Sequence, residues 1–179
     1  MSENRQEASR TDGKRFDVGM YGGKFLPFHL GHRYCVETAA KECRTVHVIL
    51  FLNGSDEERI LLERPEEWLS AEERIERMKF ICSEASKDAE VIPSVIDCSS
   101  LRLPDGEEDW DAETPLVRKI VGNVLNAVYS SEESYGEYFG RAYPEAVHRL
   151  VDVERIRYPI SGTMIRGMKE EGERRKWMV

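Results

Sequence analysis

The fifteen residues 18–32, VGMYGGKFLPFHLGH, constrain the fold of this chain more than any other stretch. A short apolar run (Val18, Met20, Tyr21) breaks into Gly22-Gly23-Lys24, passes Pro27, and reaches His29 and His32 with a glycine between them. Residues 33–43 then place Cys35, Val36, Ala39, Ala40 and Cys43 at three- and four-residue steps, the spacing of one buried helix face. The order is strand, glycine-rich turn, helix N-terminus. Such a turn suits an anion, because glycines let the backbone approach closely and the free N–H groups of the helix start point at it. Lys24 and two imidazoles stand at the mouth of this turn.

The rest of the chain repeats the alternation. Residues 16–21 form the first strand, and 45–52 (TVHVILFL) make a nearly continuous apolar run, as in a parallel strand covered on both sides. Asn53-Gly54-Ser55 ends that strand, and a polar loop is expected through Pro65. Ser70-Ala71-Glu72-Glu73 is a capping box, followed by Ile75, Met78, Ile81, Cys82 and Ala85 at helical spacing. Residues 90–96 form the third strand, and an acidic loop around Trp110 follows. Thr114-Pro115 is expected to open a helix as N-cap and first helical residue. Residues 125–130 and 147–153 form the fourth and fifth strands, and a last helix starts at Gly162. Strands alternating with helices make an α/β protein with a doubly wound, Rossmann-like parallel sheet of five strands and right-handed crossovers. Ligands of such sheets bind at the carboxyl ends of the strands. Residues 1–15 are polar and aperiodic and read as a disordered tail; 16–179 read as one domain.

Charge narrows the partners. A net charge of −8 argues against nucleic acid, which calls for a broad basic surface. Its distribution is uneven. Residues 155–179 hold seven Lys/Arg against three Glu, whereas 104–113 hold six acids and no base. A phosphate-rich ligand is drawn to the first region and repelled by the second. No apolar run approaches the ~20 residues of a membrane span, and the N-terminus lacks a signal-peptide core. The four cysteines (Cys35, Cys43, Cys82, Cys98) form no C-x-x-C pair, and three lie in expected helices. They read as reduced, mostly buried thiols of a cytoplasmic protein. His29, His32 and Cys35 are evenly spaced, but Cys35 faces the core and no fourth ligand is near, which disfavours zinc.

The G-K-F-x-P turn followed by H-x-G-H resembles the first signature of the nucleotidyltransferase superfamily. Ile160-Ser161-Gly162-Thr163-Met164-Ile165-Arg166, about 130 residues on, resembles the second. The resemblance covers about residues 16–168 and implies the nucleotidyltransferase (HUP-like) form of the fold. It also implies transfer of a nucleotidyl group from a nucleoside triphosphate to a small phosphate ester. The S-G-T-x-I-R ending, Lys24, the segment from Val128-Tyr129-Ser130-Ser131-Glu132 to Tyr135-Gly136 and the helix entry from Pro65-Glu66-Glu67-Trp68 to Arg74 are similar to the nicotinamide mononucleotide adenylyltransferases, above all that half of the bifunctional NadR-type enzymes. Those enzymes continue into a kinase domain with a Walker A loop, and this chain contains no G-x-x-x-x-G-K-[ST]. A stand-alone transferase, a truncated one and a relative with another acceptor all fit that departure.

The chemistry implied needs fixed donors rather than a nucleophile, because the barrier lies in aligning two polyanions and stabilising charge on the α-phosphoryl oxygens. The resemblance assigns His29 and His32 this work, with Lys24 and Arg166 as charges. It implies nucleotide-binding roles for Gly22, Gly23, Phe25, Ser131, Ser161, Gly162, Thr163 and Ile165, and acceptor contacts for Asn53, Arg74 and Trp110. ATP is the implied co-substrate, with Mg2+ carried on its phosphates and nicotinamide mononucleotide (NMN) as acceptor. No nucleic-acid or membrane partner is expected, and a homo-oligomer is compatible with the sequence. An indole in the acidic loop suits a pyridinium ring by cation–π contact, with Trp110 ahead of Trp68 and Trp177. Three alternatives stay open. They are a cytidylyltransferase, a pantetheine-phosphate adenylyltransferase, and a non-catalytic adenine-nucleotide sensor. A tRNA-synthetase fragment shares the first motif, but no K-M-S-K sequence is present.

Overall fold

A computed structural model describes residues 13–179. Most of the expected tail therefore lies outside the described residues. Five strands, β1 (Phe16–Gly23), β2 (Cys43–Leu52), β3 (Glu90–Asp97), β4 (Ala127–Ser130) and β5 (Val147–Leu150), form one sheet in the order β3-β2-β1-β4-β5. Every pairing is parallel. Among the described residues seven α-helices connect and follow them: α1 (Leu30–Glu42), α2 (Ser55–Glu63), α3 (Ala71–Ala85), α4 (Trp110–Val121), α5 (Gly136–Ala142), α6 (Gly162–Gly167) and α7 (Glu171–Arg175). The order reverses between β1 and β4, which opens a crevice at their carboxyl ends.

The sheet is covered on both faces, as the unbroken apolar run of β2 requires. Val46, Val48, Leu50 and Leu52 pack with α1 and α3 side chains such as Val36, Ala40, Met78 and Ile81. Ile49, one step out of phase, packs on the other face with Met20, Val117, Val121 and Tyr143. This is the two-residue period of a strand buried on both sides. All four cysteines are free and buried, but Cys43 opens β2 rather than closing a helix. Among the described residues, no helix is long and apolar enough to cross a membrane.

Three element boundaries differ from expectation. The stretch taken as a polar loop through Pro65 contains α2, whose buried positions are Ser55 and Glu57 rather than apolar side chains. Glu57 is buried because Arg74, itself fully buried, pairs with it. Helix α4 starts at Trp110, five residues before the expected Pro115, because Asp109 caps it by accepting from the Ala112 amide at 3.0 Å. Pro115 falls inside the helix. Trp110 thus stands on a helix and not in the acidic loop. Helix α6 is not the last, since α7 follows it.

Candidate active site

A cleft of about 710 Å³ opens at the switch point and is lined by both signatures. Its floor is the turn after β1. There Phe25 takes a left-handed conformation (φ 50°), and its ring packs 4.2 Å from that of Phe28, both nearly inaccessible. With two aromatic anchors in the core, the chain leaves the turn at a fixed point. His29 follows in extended conformation as the N-cap of α1.

The two histidines cap the helix reciprocally. His29 Nδ1 accepts from the Gly31 amide at 3.1 Å, and His32 Nδ1 accepts from the His29 amide at 3.2 Å. Their rings stack with centroids 3.6 Å apart. A ring whose Nδ1 accepts carries its proton on Nε2, so both imidazoles keep an Nε2–H donor. Burial, helped by the Arg155 cation, lowers the His29 pKa to about 4. Burial, the neighbouring His29 and Arg155 hold His32 well below the usual range. At neutral pH the pair is therefore uncharged and donates through two fixed N–H groups, the arrangement that oxyanion-type stabilisation requires.

The helix start itself has less to offer than its sequence implies. The Leu30 amide donates to the Trp177 carbonyl at 2.9 Å, and the Gly31 amide is taken by His29. Two of the amides expected to face an anion are thus used internally, and the side chains are left to meet it.

The second signature docks directly on the first. Ser161 caps α6 by accepting from the Met164 amide at 3.2 Å. A Cβ on Gly162 would stand 2.7 Å from the Leu26 carbonyl oxygen, closer than real Cβ atoms come, so only glycine allows this approach. Arg166 donates to that same carbonyl and, at 3.2 Å, to Thr163 Oγ1. Arg155, which the sequence reading did not single out, also lines the cleft. It donates to the Ile160 carbonyl at 2.6 Å and to Glu132 at 2.9 Å. Its one advance signal was membership of the basic C-terminal stretch. Lys24 Nζ lies between Asp56 Oδ2 at 3.1 Å and Glu108 Oε1 at 2.7 Å.

The far end of the cleft differs in character. Trp110 lies 5.4 Å from Tyr135 and 5.5 Å from Tyr138 between ring centroids, in edge-on contacts. Glu113 is buried beside them, and burial together with repulsion from Glu108 raises its pKa to about 7. Tyr135 ends the segment that resembles the adenylyltransferases, but no role was expected of it; Tyr138 and Glu113 were not anticipated, since each reaches the cleft from a helix whose sequence carries no motif.

Most expected residues line this cleft: Gly22, Gly23, Lys24, Phe25, His29, His32, Trp110, Ser131, Ser161, Gly162, Thr163 and Arg166. Four do not. Arg74 is fully buried, paired with Glu57 and bonded to the Lys24 carbonyl at 3.0 Å, so it braces the turn from beneath. Asn53 bonds to Asp97 at 3.1 Å, and Ile165 is completely buried in the core. Trp68 lies under the Arg174 guanidinium, 5.0 Å from its ring centroid. Among the described residues no cluster of three or more His, Cys, Asp or Glu is arranged to hold a metal ion.

Comparisons with known proteins bear on this geometry. By fold, the chain is similar to NadR in complex with NAD and AMP-PNP, with a TM-score of 0.60 and 20% identity over 92% of this chain and 45% of that one. It is also similar to a bifunctional NMN adenylyltransferase/ADP ribose pyrophosphatase from Francisella tularensis, with a TM-score of 0.56 and 18% identity over 90% of this chain and 44% of that one. The chain thus spans less than half the length of either. A comparison with curated protein sequences finds no match. The sequence profile of the cytidylyltransferase-like family matches residues 20–168, from the second half of β1 through β5 and both signatures. With its two signatures meeting at the switch point of a 3-2-1-4-5 parallel sheet, the chain belongs to the cytidylyltransferase-like family of nucleotidyltransferases.

Proposed function

We propose that this nucleotidyltransferase transfers the adenylyl group of ATP to NMN, giving NAD and pyrophosphate by direct in-line attack. A phosphate oxygen of NMN forms the new bond to the α-phosphorus as the bond to the β-phosphate oxygen breaks. Pyrophosphate leaves with the magnesium that arrived on the triphosphate. The observation that carries this reading is the polarity of the cleft. One end gathers two neutral imidazole donors with Arg155 and Arg166 nearby; the other presents Trp110, Tyr135 and Tyr138 beside the carboxyls of Glu108 and Glu113. Phosphates suit the first end. A flat, positively charged ring suits the second, where an aromatic face and acidic groups both attract it.

His29 and His32 donate to the α-phosphoryl oxygens as charge develops there, while Arg166, Thr163 and Ser161 hold the triphosphate. No step asks for a nucleophilic side chain. Pantetheine and alcohol phosphates carry no cationic ring for the acidic end to attract, which favours NMN among the acceptors of this superfamily. The S-G-T-x-I-R ending favours ATP over CTP, and NadR, a likeness in fold, has been seen with NAD and AMP-PNP.

Pyrophosphate release, measured with ATP or CTP against NMN, nicotinate mononucleotide, pantetheine phosphate and glycerol phosphate, tests the reading. Turnover is expected with ATP and NMN. Turnover with CTP and an alcohol phosphate but none with ATP and NMN would overturn it, and nucleotide binding without any release would favour the sensor.

A further inference from the structure

One carboxylate of the cleft joins a cation to an indole. The Glu108 side chain is 9% exposed and turns one oxygen to each. Oε1 lies 2.7 Å from Lys24 Nζ, and Oε2 accepts from Trp110 Nε1 at 3.2 Å. Oε1 is buried, and the Lys24 ammonium is the cation that stands against it. The space it occupies exists because residue 54 is glycine: a Cβ there would overlap the carboxylate. Gly54 is not in left-handed conformation (φ −71°), so room for Glu108, and not backbone freedom, is what the missing side chain supplies.

Resting on the proposed reaction, we propose that Glu108 is an acceptor-positioning residue, with the acceptor's phosphate toward Lys24 and its ring at Trp110. It fixes the span between the ammonium that meets the phosphate and the indole that meets the ring. An acceptor engages both only if its phosphate and its flat cationic ring are separated by that span, as in a ring carried on a ribose phosphate. When the phosphate draws on Lys24, the charge of Oε1 is less neutralised and faces the ring instead. Occupation of one end thereby strengthens the other. Short acceptors such as glycerol phosphate reach Lys24 alone and gain nothing from Trp110.

The test compares Glu108→Ala, Glu108→Gln, Gly54→Ala and the Gly54→Ala/Glu108→Ala double variant in the full chain. Glu108→Ala is expected to raise the KM for NMN roughly tenfold, the scale of losing one charge-assisted contact, with kcat and the KM for ATP little changed. Gly54→Ala, which leaves the carboxylate in the sequence but evicts it from its place, is expected to do the same. The double variant should then be no worse than either single one. Indole emission without ligand gives a readout apart from activity: it is expected to shift in Glu108→Ala and Gly54→Ala. In Glu108→Gln it should return, because an amide oxygen still accepts from Trp110, while the KM for NMN stays high because no ion pair forms with Lys24. Additive effects of the two sites, a loss confined to kcat, or emission unmoved in all variants would overturn the role of Glu108. Absence of NMN turnover in the unmodified chain would instead overturn the reaction on which it rests, and the emission series would still decide whether Glu108 sets the indole.

Discussion

His29 does two jobs with one ring, and the two can be separated. Its Nδ1 caps α1 by accepting from Gly31, and in the proposed reaction its Nε2–H donates to a phosphate. Asparagine is a good N-cap but offers no donor in that place. On the proposed reaction, His29→Asn is expected to cut turnover roughly 10²–10³-fold, the scale of one preorganised donor, with little change in stability. His29→Ala should lose as much turnover and also about 0.5–2 kcal/mol of stability, the usual cost of a lost cap. Pyrophosphate release and urea unfolding on the two variants check both halves. Glu113 offers a second test at this scale. Burial and Glu108 raise its pKa to about 7, so it gains charge as pH rises through neutrality. The groups facing it are Glu108, Asp109, Lys24 and Cys98. The KM for a cationic-ring acceptor is expected to fall between pH 6.5 and 8 in the unmodified chain and to stay flat in Glu113→Gln. Equal pH profiles for the two would remove Glu113 from the acceptor end.

Among the elements, α2 shows how a helix can form without an apolar stripe. Its inward position is Glu57, neutralised by Arg74 from α3, and Arg74 in turn holds the Lys24 carbonyl and, at 3.3 Å, the Ser70 carbonyl. One guanidinium thus joins α2, the start of α3 and the turn after β1. Removing one partner of such a buried pair leaves the other charge unpaired, which costs about 3–5 kcal/mol. Glu57→Ala and Arg74→Ala are both expected to lose stability on that scale in urea unfolding. An Arg74→Ala chain with unchanged stability and a raised acceptor KM would return Arg74 to the binding residues. Helix α6 presents the opposite case. Its motif was readable because glycine, a capping serine and an arginine must stand in fixed order for α6 to dock on the Leu26 carbonyl.

For the molecule as a whole, burying uncharged imidazoles ties stability to pH. His29 has an ordinary pKa of 6.5 when exposed and about 4 in the fold. Between these values the unfolded chain takes up more protons, so this contribution to stability is present above pH 6.5 and is lost as pH falls toward 4. The unmodified chain is expected to lose more stability over that window than His29→Asn does, with urea midpoints across pH 4–7 as the measurement. Parallel curves for the two proteins would mean that His29 is not held neutral.

The sequence by itself determined the sheet, its winding, the two signatures and the end of the sheet they occupy. Strands buried on both faces must be apolar throughout, glycine is required where backbones touch, and capping residues must sit at set distances from the helices they start. These are local or pairwise demands that leave marks in the order of residues, as in 45–52 and in Ser161-Gly162-Thr163. What only the tertiary structure decided depends on groups far apart in the chain. Arg74 and Asn53 are polar in the sequence wherever they end up, and only packing put Arg74 beneath the turn against Glu57. The amides of Leu30 and Gly31 look free until the Trp177 carbonyl and the His29 ring take them. Trp110 looked like a loop residue because its cap, Asp109, is one acid among six. Glu108, Glu113, Tyr138 and Arg155 carry no motif, because a side chain lines a cleft by its position in space alone, and position in space is what folding supplies.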